Sequence, residues 1–177
     1  MKPRILTHKR GHMQIKNRTT PCLWFDNQAE EAARFYTGIF KNSKVVTVSR
    51  YTEAGHEIHK RPAGSVMTVA FELDGQTFTA LNGGPNFKFN EAVSFQINCE
   101  TQEEVDYYWE KLTESGDPAA QQCGWLKDKY GLSWQVVPRV LIETISDSDP
   151  AKSGRVMEAM LKMKKIDIAE VKRAYAG

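Results

Sequence analysis

Ala29-Glu-Glu-Ala-Ala-Arg-Phe-Tyr-Thr-Gly-Ile-Phe40 and Gln102-Glu-Glu-Val-Asp-Tyr-Tyr-Trp-Glu-Lys-Leu-Thr113 are the stretches from which the fold is read. Each carries one apolar stripe at helical spacing: Ala32, Phe35, Tyr36, Ile39 and Phe40 in the first, Val105, Tyr108, Trp109 and Leu112 in the second. The stripes superimpose at a constant offset of 73 residues, as do Glu30-Glu31 and Glu103-Glu104. Such self-similarity marks an internal duplication, and the spacing predicts helices over 28–40 and 101–114.

The flanking segments repeat in the same order. Thr20–Asp26 and Ala92–Asn98 alternate as strands ahead of the helices. After the first helix come Val45–Tyr51, a loop over 52–64 holding Gly55, Pro62 and Gly64, and the strands Val66–Leu73 and Gln76–Leu81. Asp74-Gly75 between the last two predicts a hairpin. After the second helix, Gly124–Lys129 and Ser133–Pro138 form a hairpin around Gly131. Beyond Pro138 the strands stop. A helix is expected from Ser148 or Asp149, with Pro150 in its first turn, and another from Asp167, where Glu170 completes a capping-box-like pair.

Alternate strand residues face opposite sides of a sheet. One parity is apolar and should pack under the helices: Leu23, Phe25, Val69, Phe71, Leu73, Val93, Phe95, Ile97, Trp134 and Val136. The other is neutral, small or aromatic: Thr20, Cys22, Trp24, Thr68, Ala70, Glu72, Ser94, Gln96, Asn98, Ser133 and Gln135. A face turned to bulk water would carry more Lys and Glu, so this one suits a sheltered concave surface for a small ligand. Trp24, with Phe87 and Phe89 flanking Lys88 in a rim loop, supplies ligand-contacting aromatics, and Asn82 at its strand end a hydrogen-bonding amide. Glu72 is the candidate general base. Cys22 has no adjacent base in sequence and reads as a small buried residue, whereas His56 and His59 read as solvated loop histidines.

Composition sets limits. A chain of 177 residues, 41% hydrophobic, can build one ordinary domain. No apolar run approaches a membrane span, and no secretory signal is visible. Three cysteines without CxxC spacing (Cys22, Cys99, Cys123) fit a reducing cytosol. The net charge of +2 hides a split, because residues 1–18 carry six basic residues and no acid, and residues 152–177 are also basic. The segment between them is acidic, which disfavours nucleic acid as a partner. Residues 1–18 read as a flexible basic tail, with Met13 a possible start and residues 1–12 an upstream extension. The remaining divisions are a duplicated body over 19–138 and a helical appendage over 139–177, docked on the body or on a partner subunit.

Thr20-Pro-Cys-Leu-Trp-Phe-Asp, Ala29 through Phe40, Gly64-Ser-Val-Met-Thr through Leu81-Asn-Gly-Gly-Pro, and Cys123-Gly-Trp through Trp134-Gln together resemble the PhnB-like branch of the vicinal oxygen chelate (glyoxalase/bleomycin resistance/dioxygenase) superfamily, a branch labelled 3-demethylubiquinone-9 3-methyltransferase. The resemblance implies an α+β fold of two βαβββ modules, their mixed sheets curled around a cup, with C-terminal helices, a homodimer and a small-molecule ligand. It also points to Trp125 as a cup residue. The superfamily's metal positions fall on Thr20, Thr68, near Ala92 and near Gln135, a set without imidazole or carboxylate. The expected protein is therefore a binding protein without metal or other cofactor, its ligand held by Thr20, Cys22, Trp24, Thr68, Asn82, Phe87, Phe89, Gln96, Trp125 and Gln135. Two alternatives stand beside it: an enzyme using Glu72, Gln135 or a loop histidine in the same cup, and an interaction module working through the C-terminal helices.

Overall fold

The computed structural model describes residues 18–177. The expected tail, apart from Arg18, lies outside the described residues, as does the possible start at Met13. Strand β1 (Cys22–Phe25) leads into helix α1 (Ala29–Ile39), followed by β2 (Lys44–Arg50), a single turn α2 (His56–His59), β3 (Val66–Leu73) and β4 (Gln76–Asn82). The second unit runs β5 (Ser94–Cys99), α3 (Gln102–Thr113), β6 (Trp125–Lys127) and β7 (Ser133–Pro138). Helices α4 (Arg139–Ile145), α5 (Pro150–Met160) and α6 (Ile168–Ala176) complete the chain.

The strands form two mixed sheets, ordered β1-β4-β3-β2 and β5-β7-β6. In each, the strand before the long helix lies parallel to the last strand of the unit, and the other pairs are antiparallel. The first unit is a complete βαβββ module. The second is βαββ, with turns and a short 3-10 helix (Pro118–Ala120) where a counterpart of β2 would stand. Neither sheet closes into a barrel, and among the described residues β1 and β2 are the edges of the first sheet and β5 and β6 those of the second. At the β3–β4 hairpin both Asp74 (φ 45°) and Gly75 (φ 81°) are left-handed, as the expected two-residue turn requires.

The apolar parity builds the core as expected, with one exception. Leu23, Phe25, Val69, Phe71, Leu73, Phe78 and Ala80 pack with α1, while Ile97, Leu126, Trp134 and Val136 join Val105 and Leu112 of α3. Val93 is 65% exposed, because β5 begins one residue later, at Ser94. The two units share this core. Tyr36 of α1 is fully buried, with its ring 5.5 Å from that of Trp134, and its hydroxyl donates to Asp128 Oδ2 at 2.7 Å. Asp128, 2% exposed, also accepts from Trp134 Nε1 (2.9 Å) and from the backbone N–H groups of Tyr130 (2.8 Å) and Leu132 (3.1 Å). Burial raises the Asp128 carboxyl above the usual range, and these four donors pull it part of the way back.

Helices α5 and α6 start where expected, capped by Asp149 and Asp167, the latter accepting from Glu170 N–H at 2.9 Å. Helix α4 escapes a sequence reading because no side chain caps it: Pro138 occupies the N-cap position. The appendage docks on its own chain. Cys123 and Gly124 N–H donate to the carbonyls of Met163 and Lys164 (2.9 and 2.7 Å), and Gln102 brackets the start of α6 through Ile166 O and Ile168 N–H. Lys165 pairs with Asp106 of α3 at 2.6 Å. Among the described residues, no helix is long and apolar enough to cross a membrane.

Candidate functional site

Strand register arranges the polar parity as a grid. Across the first sheet, one row is Trp24, Leu81, Thr68 and Ser49, and the next is Cys22, Thr79, Ala70 and Thr47. The row beyond carries Thr77, Glu72 and Lys44, with Thr20 Oγ1 3.4 Å from Thr77 Oγ1. The second sheet aligns Gln96, Gln135 and Trp125 in one row. Gln135 Nε2 donates to Ser94 Oγ at 2.9 Å, while the neighbouring Ser133 hydroxyl is buried with no hydrogen-bond partner among the described residues. The candidate residues thus form two grids on separate sheets, not one closed cup.

Aromatic side chains converge at the end of β1. Trp24, Phe25, Asp26, Phe87, Lys88, Phe89, Lys127, Tyr130 and Gly131 line a cavity of about 310 Å³. Phe87 meets Trp24 edge-on at 4.9 Å, and Phe25 meets Phe89 at 5.3 Å and Tyr130 at 5.8 Å, all in the T-shaped geometry that aromatic quadrupoles favour. The tight Gly83-Gly84 passage brings the loop there. A Cβ on Gly83 would collide with the Trp24 indole, whose Nε1 donates to Gly84 O at 2.8 Å. Cys22 lines an adjoining cavity that also includes Phe89. Its side chain is exposed rather than buried as expected, because among the described residues no strand pairs with the free edge of β1.

Other candidates are engaged elsewhere. Asn82 is 6% exposed and belongs to the core-facing side. Its Oδ1 accepts from Ala29 N–H at 2.8 Å and its Nδ2 donates to Val66 O at 3.0 Å. It therefore caps α1, whose own N-cap residue, Gln28, provides no side-chain bond. Glu72 lies 3.5 Å from Lys44, two rows along β3 from Thr68. His59 stacks 4.5 Å from Tyr51, its Nδ1 accepting from Arg61 N–H at 3.0 Å while Nε2 faces Ala54 O at 3.3 Å. His56 is exposed. Tyr130 and Asp128 had no signal in the strand alternation, because both lie in the turn between β6 and β7.

The superfamily's metal does not fit these residues. Thr20, Thr68 and Ala92 offer no strong donor, and Gln135 already holds Ser94. Among the described residues, no group of three or more His, Cys, Asp and Glu side chains is placed to hold a metal ion.

The fold and grid define a small α+β protein of duplicated modules with an open polar sheet face, and comparison with known proteins agrees on the fold. The family described as 3-demethylubiquinone-9 3-methyltransferase matches residues 17–137, so α4–α6 lie outside the match. A putative 3-demethylubiquinone-9 3-methyltransferase, PhnB protein, from Bacillus cereus is 38% identical over 69% of this chain and 99% of that one, with a TM-score of 0.58. Protein PA1353 from Pseudomonas aeruginosa shares the fold at 17% identity, over 68% of this chain and 96% of that one, with a TM-score of 0.51. A glyoxylase/bleomycin resistance protein/dioxygenase domain from Frankia sp. EAN1pec is also similar, at 14% identity over 70% and 97% of the two chains, with a TM-score of 0.43. No curated protein matches the chain. The chain belongs to the 3-demethylubiquinone-9 3-methyltransferase family, the PhnB-like branch that its motifs resemble.

Proposed function

We propose that the chain is a small-molecule-binding protein that works without a bound metal and holds its ligand against the aromatic cavity at the end of β1. The convergence of Trp24, Phe25, Phe87, Phe89 and Tyr130 around about 310 Å³ carries this reading. Apolar walls with a few charged groups at the rim are what a small-ligand site requires. The functional unit is a homodimer in the cytoplasm. The one-sided bonding of β1 and β5 supports the dimer, because a second copy adding at those edges would bring polar grids together into a cup.

Methyl transfer, which the family description names, finds no support in these residues. The turn from β1 into α1 is Asp26-Asn27-Gln28, without the glycines that admit a nucleotide cofactor. The first N–H of α1 is already taken by Asn82. Docking of α5 and α6 on their own chain weakens the interaction-module alternative.

A thermal-shift screen of flat aromatic and amphipathic metabolites tests the reading. Stabilising hits that are lost in Phe87→Ala are expected, and a complete absence of hits counts against it. Stoichiometric metal in purified protein would overturn the metal-free assignment, and a monomer by light scattering would overturn the dimer.

A further inference from the structure

The polar atoms around the aromatic cavity are almost all satisfied by other protein groups. Trp24 Nε1 donates to Gly84 O, and the Tyr130 hydroxyl donates to Glu31 Oε1 at 2.7 Å, so both rings meet the cavity as apolar surface. The Asp26 carboxylate is paired with Arg61 at 3.1 Å, and the Lys127 ammonium with Glu91. Lys129, beside the Tyr130 ring at 5.1 Å, is paired with Glu31 at 3.3 Å. Lys88 differs. Among the described residues its ammonium has no ion-pair partner, and it stands between Phe87 and Phe89 on the segment that supplies two of the aromatic walls. The cavity therefore has one uncompensated positive charge, carried by the same loop as Phe87, which is 65% exposed.

Resting on the binding reading above, we propose that this cavity selects planar aromatic anions of one or two rings, such as aromatic carboxylates. The edge-on rings give a flat molecule both faces and edges to pack against. The volume of about 310 Å³ accommodates one or two fused rings, and Lys88 meets the charge at the rim. A branched anion gains the charge without the ring contacts, and a flat cation gains the ring contacts but is repelled by Lys88.

Calorimetric titration of the full chain with 2-naphthoate, its neutral amide and the protonated 2-naphthylmethylamine tests this. Because Lys88 is exposed, the charge contribution is that of a surface pair, so naphthoate should bind about threefold to fivefold more tightly than the amide. The amine should bind more weakly than either. Lys88→Ala should bring naphthoate to the level of the amide, and 0.5 M salt should do the same. Phe87→Ala should weaken all three. Equal binding of the three probes, or a naphthoate preference that survives Lys88→Ala, overturns the charge selection while leaving the aromatic site standing. Failure of every probe to bind, or binding indifferent to Phe87→Ala, overturns the site itself.

Discussion

Replacing Asp128 by alanine would remove one acceptor from four donors, and the structure lets the cost be worked out. Two donors are deep: the hydroxyl of Tyr36 (2.7 Å) and the indole N–H of Trp134 (2.9 Å), on residues 0% and 3% exposed. An orphaned buried donor costs about 1–3 kcal/mol. The other two are the N–H groups of Tyr130, in a part-buried bond, and of Leu132, on a residue 2% exposed, and water entering the space left by the carboxylate would make up part of their loss. Relief of the buried carboxylate's own desolvation offsets part of the loss. The expected destabilisation is about 3 kcal/mol, a large share of the 5–15 kcal/mol typical of a domain. Asp128→Asn keeps an acceptor for one pair of donors but turns its NH₂ toward the other. The Tyr36 hydroxyl can reverse its role, whereas the backbone and indole N–H groups cannot, so about 1–2 kcal/mol is expected. Urea unfolding followed by tryptophan fluorescence measures both, with unchanged m-values as the control for two-state behaviour. In a double-mutant cycle with Trp134→Phe, the two substitutions should couple by about 1 kcal/mol. A cost below about 1 kcal/mol for Asp128→Ala, or strictly additive effects in the cycle, would refute the account of Asp128 as the polar joint between the two units.

Asn82→Ala should destabilise by about 2 kcal/mol, since it frees Ala29 N–H and Val66 O together, and amide exchange at the start of α1 should accelerate. Asn82→Asp retains the acceptor but faces the Val66 carbonyl with a carboxylate, and should recover little of the loss. Gly83→Ala should push the Trp24 indole out of place and break its bond to Gly84, visible as a changed fluorescence maximum and a melting temperature lowered by overpacking. The Tyr130 hydroxyl, followed by Lys129, holds the Glu31 carboxyl below its usual range. A folded-state value below the unfolded one stabilises above the unfolded pKa of about 4.3 and loses that stabilisation as pH falls through the folded value. Glu31→Gln should therefore be less stable than the parent near neutrality and match it in strong acid. A pH series of urea midpoints with a constant difference would contradict this.

The duplication was legible because helix and strand periods are local properties of the chain. The offset between Phe35-Tyr36 and Tyr108-Trp109 located both long helices, and alternation sorted Leu23, Val69 and Phe71 from Cys22, Trp24 and Thr68. Capping chemistry located α5 and α6, but α4, entered through Pro138 without a side-chain cap, had no such mark. Val93 was assigned to the core by parity carried one residue past the real start of β5. Candidate ligand residues were only half legible. Parity placed Trp24 on the open face, but the strand was read as ending at Leu81; one residue further, Asn82 shares the parity of the buried Phe78 and Ala80 and turns inward to cap a helix 53 positions away in sequence.

By itself, then, the sequence determined the order of the strands and long helices, the two faces of each sheet and the family, since these follow from the spacing of residue types along the chain. Tertiary structure decided which of those residues meet. Gathering Trp24, Phe87 and Tyr130 around one cavity depends on how a glycine passage folds the 83–91 loop against β1 and the β6–β7 turn. So does the partner of each charge there, and hence the standing of Lys88 as the one without an ion-pair partner among the described residues. Ion pairs and hydrogen bonds between segments far apart in sequence are three-dimensional facts, and no local period encodes them.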